Sequence, residues 1–435
     1  MTPTGFRLPR LCLPRAGIDL QRWAVIACDQ YTAEPDYWAR AEALVGDAPS
    51  TLRLIYPEVF LDAPDKAQRI ARIQQAMQAT LQQGLLDERE GPILVERTVD
   101  GRTRRGLMLE IDLEHYDFSP TSTSLVRPTE GTIVARLAPR IAVRRDAALE
   151  LPHVLVLIDD PERTVIEPLA EACRGHDPLY DTPLMLGGGR VAGWAVDAPH
   201  AQTAVQALQA LAGPARFARR YGVPEGTPPM LFAVGDGNHS LATAKAIWDE
   251  TREQRGPDHP SRWALVEVMN IHDPALHFAP IHRLLFGVQP GWRDALPGLL
   301  GGQVQLQPVA DAAALRAQVT ATAAPRQAFG LFEPGGRCSV VRVDGAASPL
   351  AVGTVQAAVD ALLARGLARE VDYVHGDEVI ERLGAQEGCA GLHVPTLSQH
   401  ELLTRVVHGG PLPRKTFSMG EAHEKRYYLE SRRIR

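Results

Sequence analysis

The chain lacks any apolar run long enough to cross a bilayer as a helix. Its first ten residues, Met1 to Arg10, contain no long apolar core and no small-residue cleavage site. Neither a membrane partner nor a secretory leader is therefore expected. Cysteine is scarce: Cys12, Cys28, Cys173, Cys338 and Cys389 are odd in number, far apart and free of any Cys-x-x-Cys pair. That usage argues against a disulfide framework and a zinc site, and points to reduced thiols in a cytoplasm. A basic excess is also missing, since 46 Lys and Arg stand against 52 Asp and Glu, for a net charge of −6. Nucleic acid is not the partner such a balance suggests. The Gly-x-x-x-x-Gly-Lys-Ser/Thr, Gly-x-Ser-x-Gly, His-Glu-x-x-His and Gly-x-Gly-x-x-Gly signatures are all absent. No His and carboxylate set shows metal-ligand spacing, so no structural metal is expected. A magnesium ion carried in by a phosphate substrate is the metal that this pattern allows.

What is present is enough for two or three domains, because 435 residues exceed one ordinary core. Trp23 to Cys28 reads as a short buried strand entering the polar turn Asp29-Gln30-Tyr31-Thr32. Residues 64–90 read as a helical stretch, with Ile70, Ile73, Met77 and Leu81 at helical spacing. Two runs around Asp100-Gly101, and two more around Gly187-Gly188-Gly189, read as hairpins. Leu151 to Asp159 and Trp263 to Met269 are buried strands, and Pro199 to Ala212 is a helix. From about residue 286 the chain alternates helix and strand, which suggests domains at 1–285 and 286–435. The expected fold class is α+β with a mixed sheet and further α/β elements at the N- and C-terminal sides.

The most informative stretch is Gly235-Asp236-Gly237-Asn238-His239-Ser240-Leu241. It follows the apolar run Pro229 to Val234 and precedes the alanine-rich, Gly- and Pro-free Leu241 to Glu250, so it reads as a strand, a tight turn and a helix start. Glycine lets backbone approach a ligand closely, and a helix N-terminus offers unpaired N–H groups. A phosphate or carboxylate would be held well there. The plainer reading is an ordinary helix cap by Asn238 or Ser240.

Three other clusters carry chemistry. Arg127-Pro128-Thr129-Glu130-Gly131-Thr132, followed by Arg136, Arg140, Arg144 and Arg145, offers a carboxylate among hydroxyls and cations, as phosphoryl transfer requires. The alternative is a polar turn followed by an exposed basic edge strand. His282-Arg283, with His272 and Asp273, is the second cluster, and structural histidines are the alternative there. Arg414-Lys415-Thr416, led in by Pro411-Leu412-Pro413, is the third, with a surface charge pair as the alternative.

Asp236-Gly237-Asn238-His239-Ser240 resembles the Asp-Gly-His-His-Arg signature of the family called domain of unknown function 1015. Arg127 to Thr132, Leu155 to Asp160, Pro280 to Arg283 and Leu412 to Thr416 look like further blocks of that family, in family order. The signature is in turn similar to the phosphate-gripping motif of the ParB and sulfiredoxin superfamily, which includes free-serine kinases. The resemblance implies a bacterial, cytoplasmic protein with a ParB/sulfiredoxin-like core and a C-terminal tail that returns to the site. Asp236, Gly237 and His239 match the motif, whereas Asn238 stands for its first His and Ser240 for its Arg. Losing that Arg removes a bidentate phosphate fork, which Arg283, Arg127 or Lys415 could replace.

The resemblance and the residues together suggest a small-molecule phosphotransferase, or a phosphohydrolase, of serine-kinase-like character. Its donor would be a nucleotide or pyrophosphate with magnesium, and its acceptor a small phosphate-accepting metabolite such as a hydroxy or amino acid. On that reading the catalytic residues are Asp236, His239 and Glu130, with Glu130 or Asp236 as general base. Gly237, Asn238, Ser240, Arg127, Thr129, Thr132, His282, Arg283, Arg414 and Lys415 would bind phosphate or substrate. The competing function is a nucleotide-binding regulator of ParB-like type without turnover. A homodimer is compatible with the sequence. A sulfiredoxin-like role for Cys28 is the remotest reading, because no cysteine lies near His239 in the chain.

Overall fold

The computed structural model describes residues 5–413 and 415–435. These form two compact units. The first runs up to His277 and also includes Leu403–Pro411 and Gly420–Arg435; the second comprises Phe278–Leu402 and Leu412–Met419.

The first unit is built on a nine-stranded mixed sheet. Across it the strands run Tyr180–Pro183, Arg190–Ala195, Ile93–Val99, Arg102–Asp112, Trp263–Asn270, Leu155–Ile158, Phe232–Asp236 and Val126–Pro128, with Phe6–Arg7 added along Arg102–Asp112. Both expected hairpins are there: Ile93–Val99 pairs with Arg102–Asp112, and Tyr180–Pro183 with Arg190–Ala195. At the first, Asp100 and Gly101 take φ of 49° and 73°, the left-handed pair of a tight two-residue turn. The sheet is buried on both faces. Ile93, Val95, Met108 and Leu265 face one apolar cluster, while Leu94, Leu107, Leu109, Ala264 and Val266 face another. Strands covered on both sides read as near-continuous apolar runs, which is how Trp263 to Met269 looks in the sequence apart from Glu267.

One expectation changes here. Of the arginines after Thr132, Arg136 ends the short 3-10 turn Val134–Arg136, Arg140 and Arg144 lie on the helix Leu137–Arg144, and Arg145 follows it; none is on an edge strand. Leu137 and Ile141 are four apart, and so are Arg140 and Arg144, so apolar and basic residues take different faces of a helix. Arg140 pairs with Glu58, and Arg144 with Glu150 at 2.6 Å.

The C-terminal segment is fixed within the first unit. Tyr427–Tyr428 pairs with Val25–Ile26, and Arg432–Arg433 with Leu149–Glu150. Arg426 is buried and bonds Glu267, Glu430 and, at 2.8 Å, the Pro152 carbonyl. Arg432 is buried on Glu150 at 2.5 Å. Buried guanidinium groups persist only with such partners, so the segment is held by charge as well as by strand pairing.

The second unit has a seven-stranded sheet of antiparallel pairs. Its order is Gln303–Val309, Arg337–Asp344, Gln327–Glu333, Cys389–His393, Phe278–Phe286 and Glu370–His375, with Phe417–Met419 alongside Phe278–Pro280. Two apolar clusters, around Val341 and Val340, cover its faces. All of strand Phe278–Phe286 belongs to this unit, so the chain passes into it before its composition shifts near residue 286. Among the described residues, no helix is long and apolar enough to cross a membrane.

Candidate active site

The site is centred on the turn after strand Phe232–Asp236, which lies between Val126–Pro128, parallel, and Leu155–Ile158, antiparallel. Gly237 has φ 78°, and a Cβ there would meet the Val154 Cα at 3.0 Å. Only glycine fits both constraints. Helix Asn238–Arg255 starts directly after it with no side-chain cap. Neither Asn238 nor Ser240 therefore caps the helix. The Asn238 amide nitrogen donates to the Val234 carbonyl at 3.3 Å, while its Oδ1 is buried without a partner. Uncapped N–H groups in the first turn favour an anion.

Asp236 occupies the mouth of this turn. Its Oδ1 accepts from the Gly237 N–H at 3.0 Å, and its Oδ2 lies 3.0 Å from Lys425 Nζ. Lys425 is buried, with 8% of its side chain exposed. It is held there because Arg426 and Tyr428, which follow it, are fixed within the unit. The cation at the loop is thus Lys425, which has no distinguishing pattern in the sequence beyond a strand-like tail.

The 127–133 segment runs beside the turn. Thr129 donates from Oγ1 to the Val234 carbonyl at 2.6 Å, and the Ile133 N–H points at His239 Nε2 at 3.4 Å. Thr132 Oγ1 is buried without a partner, a second polar atom that a ligand could satisfy. Glu130 is half-buried between these two threonines. Arg127 is buried and donates to the carbonyls of Ser124, Thr123 and Pro228, so its role here is to fix the loop's foot. Burial also pulls its pKa down.

Behind the turn is a proton network that the sequence did not suggest. Ser240 Oγ is 2.7 Å from His153 Nε2, and His153 Nδ1 is 2.8 Å from the Tyr428 hydroxyl. The Tyr428 oxygen accepts the Cys28 N–H at 3.1 Å. Either the Tyr428 hydroxyl donates to His153 Nδ1 or Nδ1–H donates to the hydroxyl, according to the tautomer. In the Nδ1–H tautomer the Nε2 lone pair faces Ser240. Asp29 Oδ2 lies 3.9 Å from the same nitrogen. Burial pushes the Asp29 carboxyl up, but His153, a hydrogen bond from Gln30 and Lys425 outweigh it and hold it below the usual range. Burial and the neighbouring Asp29 and Glu58 drive the Cys28 thiol well above its ordinary value, so it carries no reactive thiolate.

Within the second unit, His282 and Arg283 are fully buried. Arg283 donates to Gln356 at 3.0 Å and to the Ile281 carbonyl, and lies over the Tyr373 ring. His282 Nε2 is 3.0 Å from Asp377 Oδ1, and His393 Nε2 is 3.1 Å from the same oxygen. Among the described residues, this is a group with the compactness of a metal site. The Val394 N–H, however, points at His282 Nδ1 at 3.2 Å, which places that ring's proton on Nε2 toward Asp377. His282 therefore meets Asp377 as a hydrogen-bond donor, whereas His393 Nδ1 is buried without a partner. Burial, chiefly, lowers the His282 pKa, and the two imidazoles hold the Asp377 carboxyl far below its ordinary value. Lys415 is exposed with φ 58°, and Arg414 lies outside the described residues.

Residues 12–362 match the family described as "Protein of unknown function (DUF1015)". The chain belongs to the DUF1015 family. No curated protein matches it. Similar solved structures include a mutant free serine kinase in complex with ADP, at 10% identity and TM-score 0.39, covering 75% of this chain and 92% of that one. SbnI with a C-terminal truncation, from Staphylococcus aureus, is similar at 12% identity and TM-score 0.35, covering 72% and 81%. A conserved hypothetical protein from Pyrococcus furiosus has 10% identity and TM-score 0.36, covering 75% and 95%. The similar structures thus include nucleotide-bound serine kinases. The DUF1015 match stops before Lys425 and Tyr428, which complete the turn described above.

Proposed function

We propose that this DUF1015 protein transfers a phosphoryl group from a nucleotide or pyrophosphate to the hydroxyl of a small acceptor. The observation that carries this reading is the Asp236–Lys425 pair at an uncapped, glycine-started helix. The N–H groups of Asn238, His239 and Ser240, with Lys425, hold the donor's terminal phosphoryl oxygens. A lysine here supplies charge where the family motif has a bidentate arginine. Asp236 orients Lys425, and Glu130 and Asp236 are the carboxylates beside which an accompanying magnesium ion would sit.

The acceptor hydroxyl loses its proton to His153 Nε2, through or beside Ser240, and Asp29 stabilises the imidazolium that results. This moves the base role from Glu130 or Asp236 to His153, whose Nε2 faces a hydroxyl and, in the Nδ1–H tautomer, presents its lone pair there. Water in the acceptor's place would make the same site a phosphohydrolase. A nucleotide-binding regulator is the second reading, favoured by one observation: Ser240, in the motif's arginine position, bonds His153 and offers no cation. Calorimetry and 31P NMR with ATP, ADP, AMP or pyrophosphate separate the two. Turnover with an acceptor, lost in His153→Ala, supports the enzyme, whereas tight binding with the donor unchanged over hours supports the regulator.

A further inference from the structure

An open cavity of about 130 Å³ lies behind the turn in the first unit. Ser240, His153 and Tyr428 stand on its wall, so the proton network opens directly into it. The rest of the lining is largely apolar, including Leu54, Ile55, Met77, Val143, Leu149 and Leu265. The volume is close to the roughly 150 Å³ of an apolar cavity that takes benzene, so a small branched or cyclic body fits.

The charged groups on the wall are matched. Arg140 is paired with Glu58, and Arg144 with Glu150. An ionic ligand would have to break one of these part-buried pairs and leave a desolvated charge behind, which is strongly unfavourable. The wall therefore suits an uncharged body. Its polar end, in contrast, can both accept and donate: His153 Nε2 does either according to its tautomer, and the Ser240 hydroxyl turns either way.

We propose that this cavity seats the acceptor, and that the acceptor is an uncharged alcohol with a branched or cyclic hydrocarbon body. Its hydroxyl lies at Ser240 and His153, and its body fills the space among Leu54, Met77 and Val143. The proposal rests on the phosphoryl-transfer reading for its chemistry. The alcohol oxygen forms a bond to the terminal phosphorus of a nucleoside triphosphate or pyrophosphate, and the bond from that phosphorus to the bridging oxygen breaks. The bridging oxygen leaves with its electron pair on the nucleoside diphosphate or phosphate, and the alcohol proton passes to His153 Nε2.

The test measures binding of benzyl alcohol, isoamyl alcohol and L-serine to the chain by saturation-transfer NMR, without donor. Val143→Trp fills the cavity from a half-buried helix position, Ala147→Leu is a milder filling, and Val143→Ala leaves the space open. Saturable binding of the two alcohols, weakened at least about tenfold by a folded filling variant and kept in Val143→Ala, is expected. Alcohol binding that is indifferent to filling, or saturable binding of L-serine alone, would overturn the proposal. ATP, ADP and pyrophosphate are titrated separately by calorimetry. Their failure to bind, with the alcohols still bound in the cavity, would remove the phosphoryl-transfer reading and leave the ligand class standing. With ATP and magnesium, a stable phosphate on the protein by intact mass in place of an alcohol phosphate would overturn the acceptor role.

Discussion

Lys425 Nζ and Asp236 Oδ2 are 3.0 Å apart, although one belongs to the C-terminal tail and the other to the central turn. The pair is mostly shielded from solvent, and the lysine is held by its neighbours Arg426 and Tyr428. A part-buried pair of this kind is costly to halve. Asp236→Asn and Lys425→Met should each destabilise the protein by about 2 kcal/mol. The double variant should fall short of the sum by about 1 kcal/mol or more. Urea denaturation of the four proteins measures that coupling, and strict additivity would show that the pair contributes no interaction.

Gly237 combines a left-handed φ of 78° with a backbone neighbour, Val154 Cα, at 3.0 Å from any added Cβ. Gly237→Ala should cost about 1–3 kcal/mol and shift the helix start. Gly226, with φ 90° but nothing near its Cβ position, is the control. Gly226→Ala should cost less in the same denaturation experiment.

Asp159 accepts from Arg220 at 2.7 and 2.8 Å, from the Tyr221 hydroxyl at 2.8 Å, and has His272 Nε2 at 2.7 Å. Burial pushes its carboxyl up, but these partners prevail and its folded pKa is depressed. A depressed carboxyl stabilises the fold above its unfolded pKa, and that contribution is lost as pH falls through the folded value. Asp159→Asn should therefore be less stable than the parent by about 3 kcal/mol at neutral pH. The gap should close below about pH 4. Stability curves at several pH values read both effects, and a gap that widens in acid would contradict the assignment.

Arg426 sits among Glu267, Glu430 and the Pro152 carbonyl with almost no exposure. Arg426→Met leaves two buried carboxylates facing each other without a cation. It should cost about 3–5 kcal/mol and raise hydrogen exchange across 425–430. Exchange confined to residue 426 itself would show that the tail is held by its strand pairing alone.

Much of the first unit could be read from periodicity and turn chemistry. The hairpin at Asp100-Gly101 needs two left-handed residues, and the sequence supplies them. Trp263 to Met269 looks apolar apart from Glu267 because both faces of its strand are covered. The turn at 235–241 could be placed for the same reason: a strand, a glycine and a helix leave little choice. The site itself was only partly legible. Asp236, the loop from Thr129 to Thr132 and the helix start come together because neighbouring strands carry them. Lys425, His153, Asp29 and Tyr428 were missed because their alignment depends on tertiary pairing, of Tyr427–Tyr428 with Val25–Ile26. No local pattern marks a lysine whose carboxylate partner, Asp236, lies far away in the chain. Arg127 and Arg283 drew attention as cations, yet both are buried against carbonyls, where a guanidinium organises backbone.

The central claim, that the turn at Asp236 to Ser240 and Lys425 form one phosphate site, is tested most directly by calorimetric titration. ATP, ADP and pyrophosphate would be titrated, with magnesium, into the unaltered chain, Lys425→Met and Lys425→Arg. Expected is saturable binding of at least one ligand, weakened about 10–100-fold in Lys425→Met and recovered in part by Lys425→Arg. Binding of equal strength in all three proteins, or of none of the ligands to the unaltered chain, would contradict it.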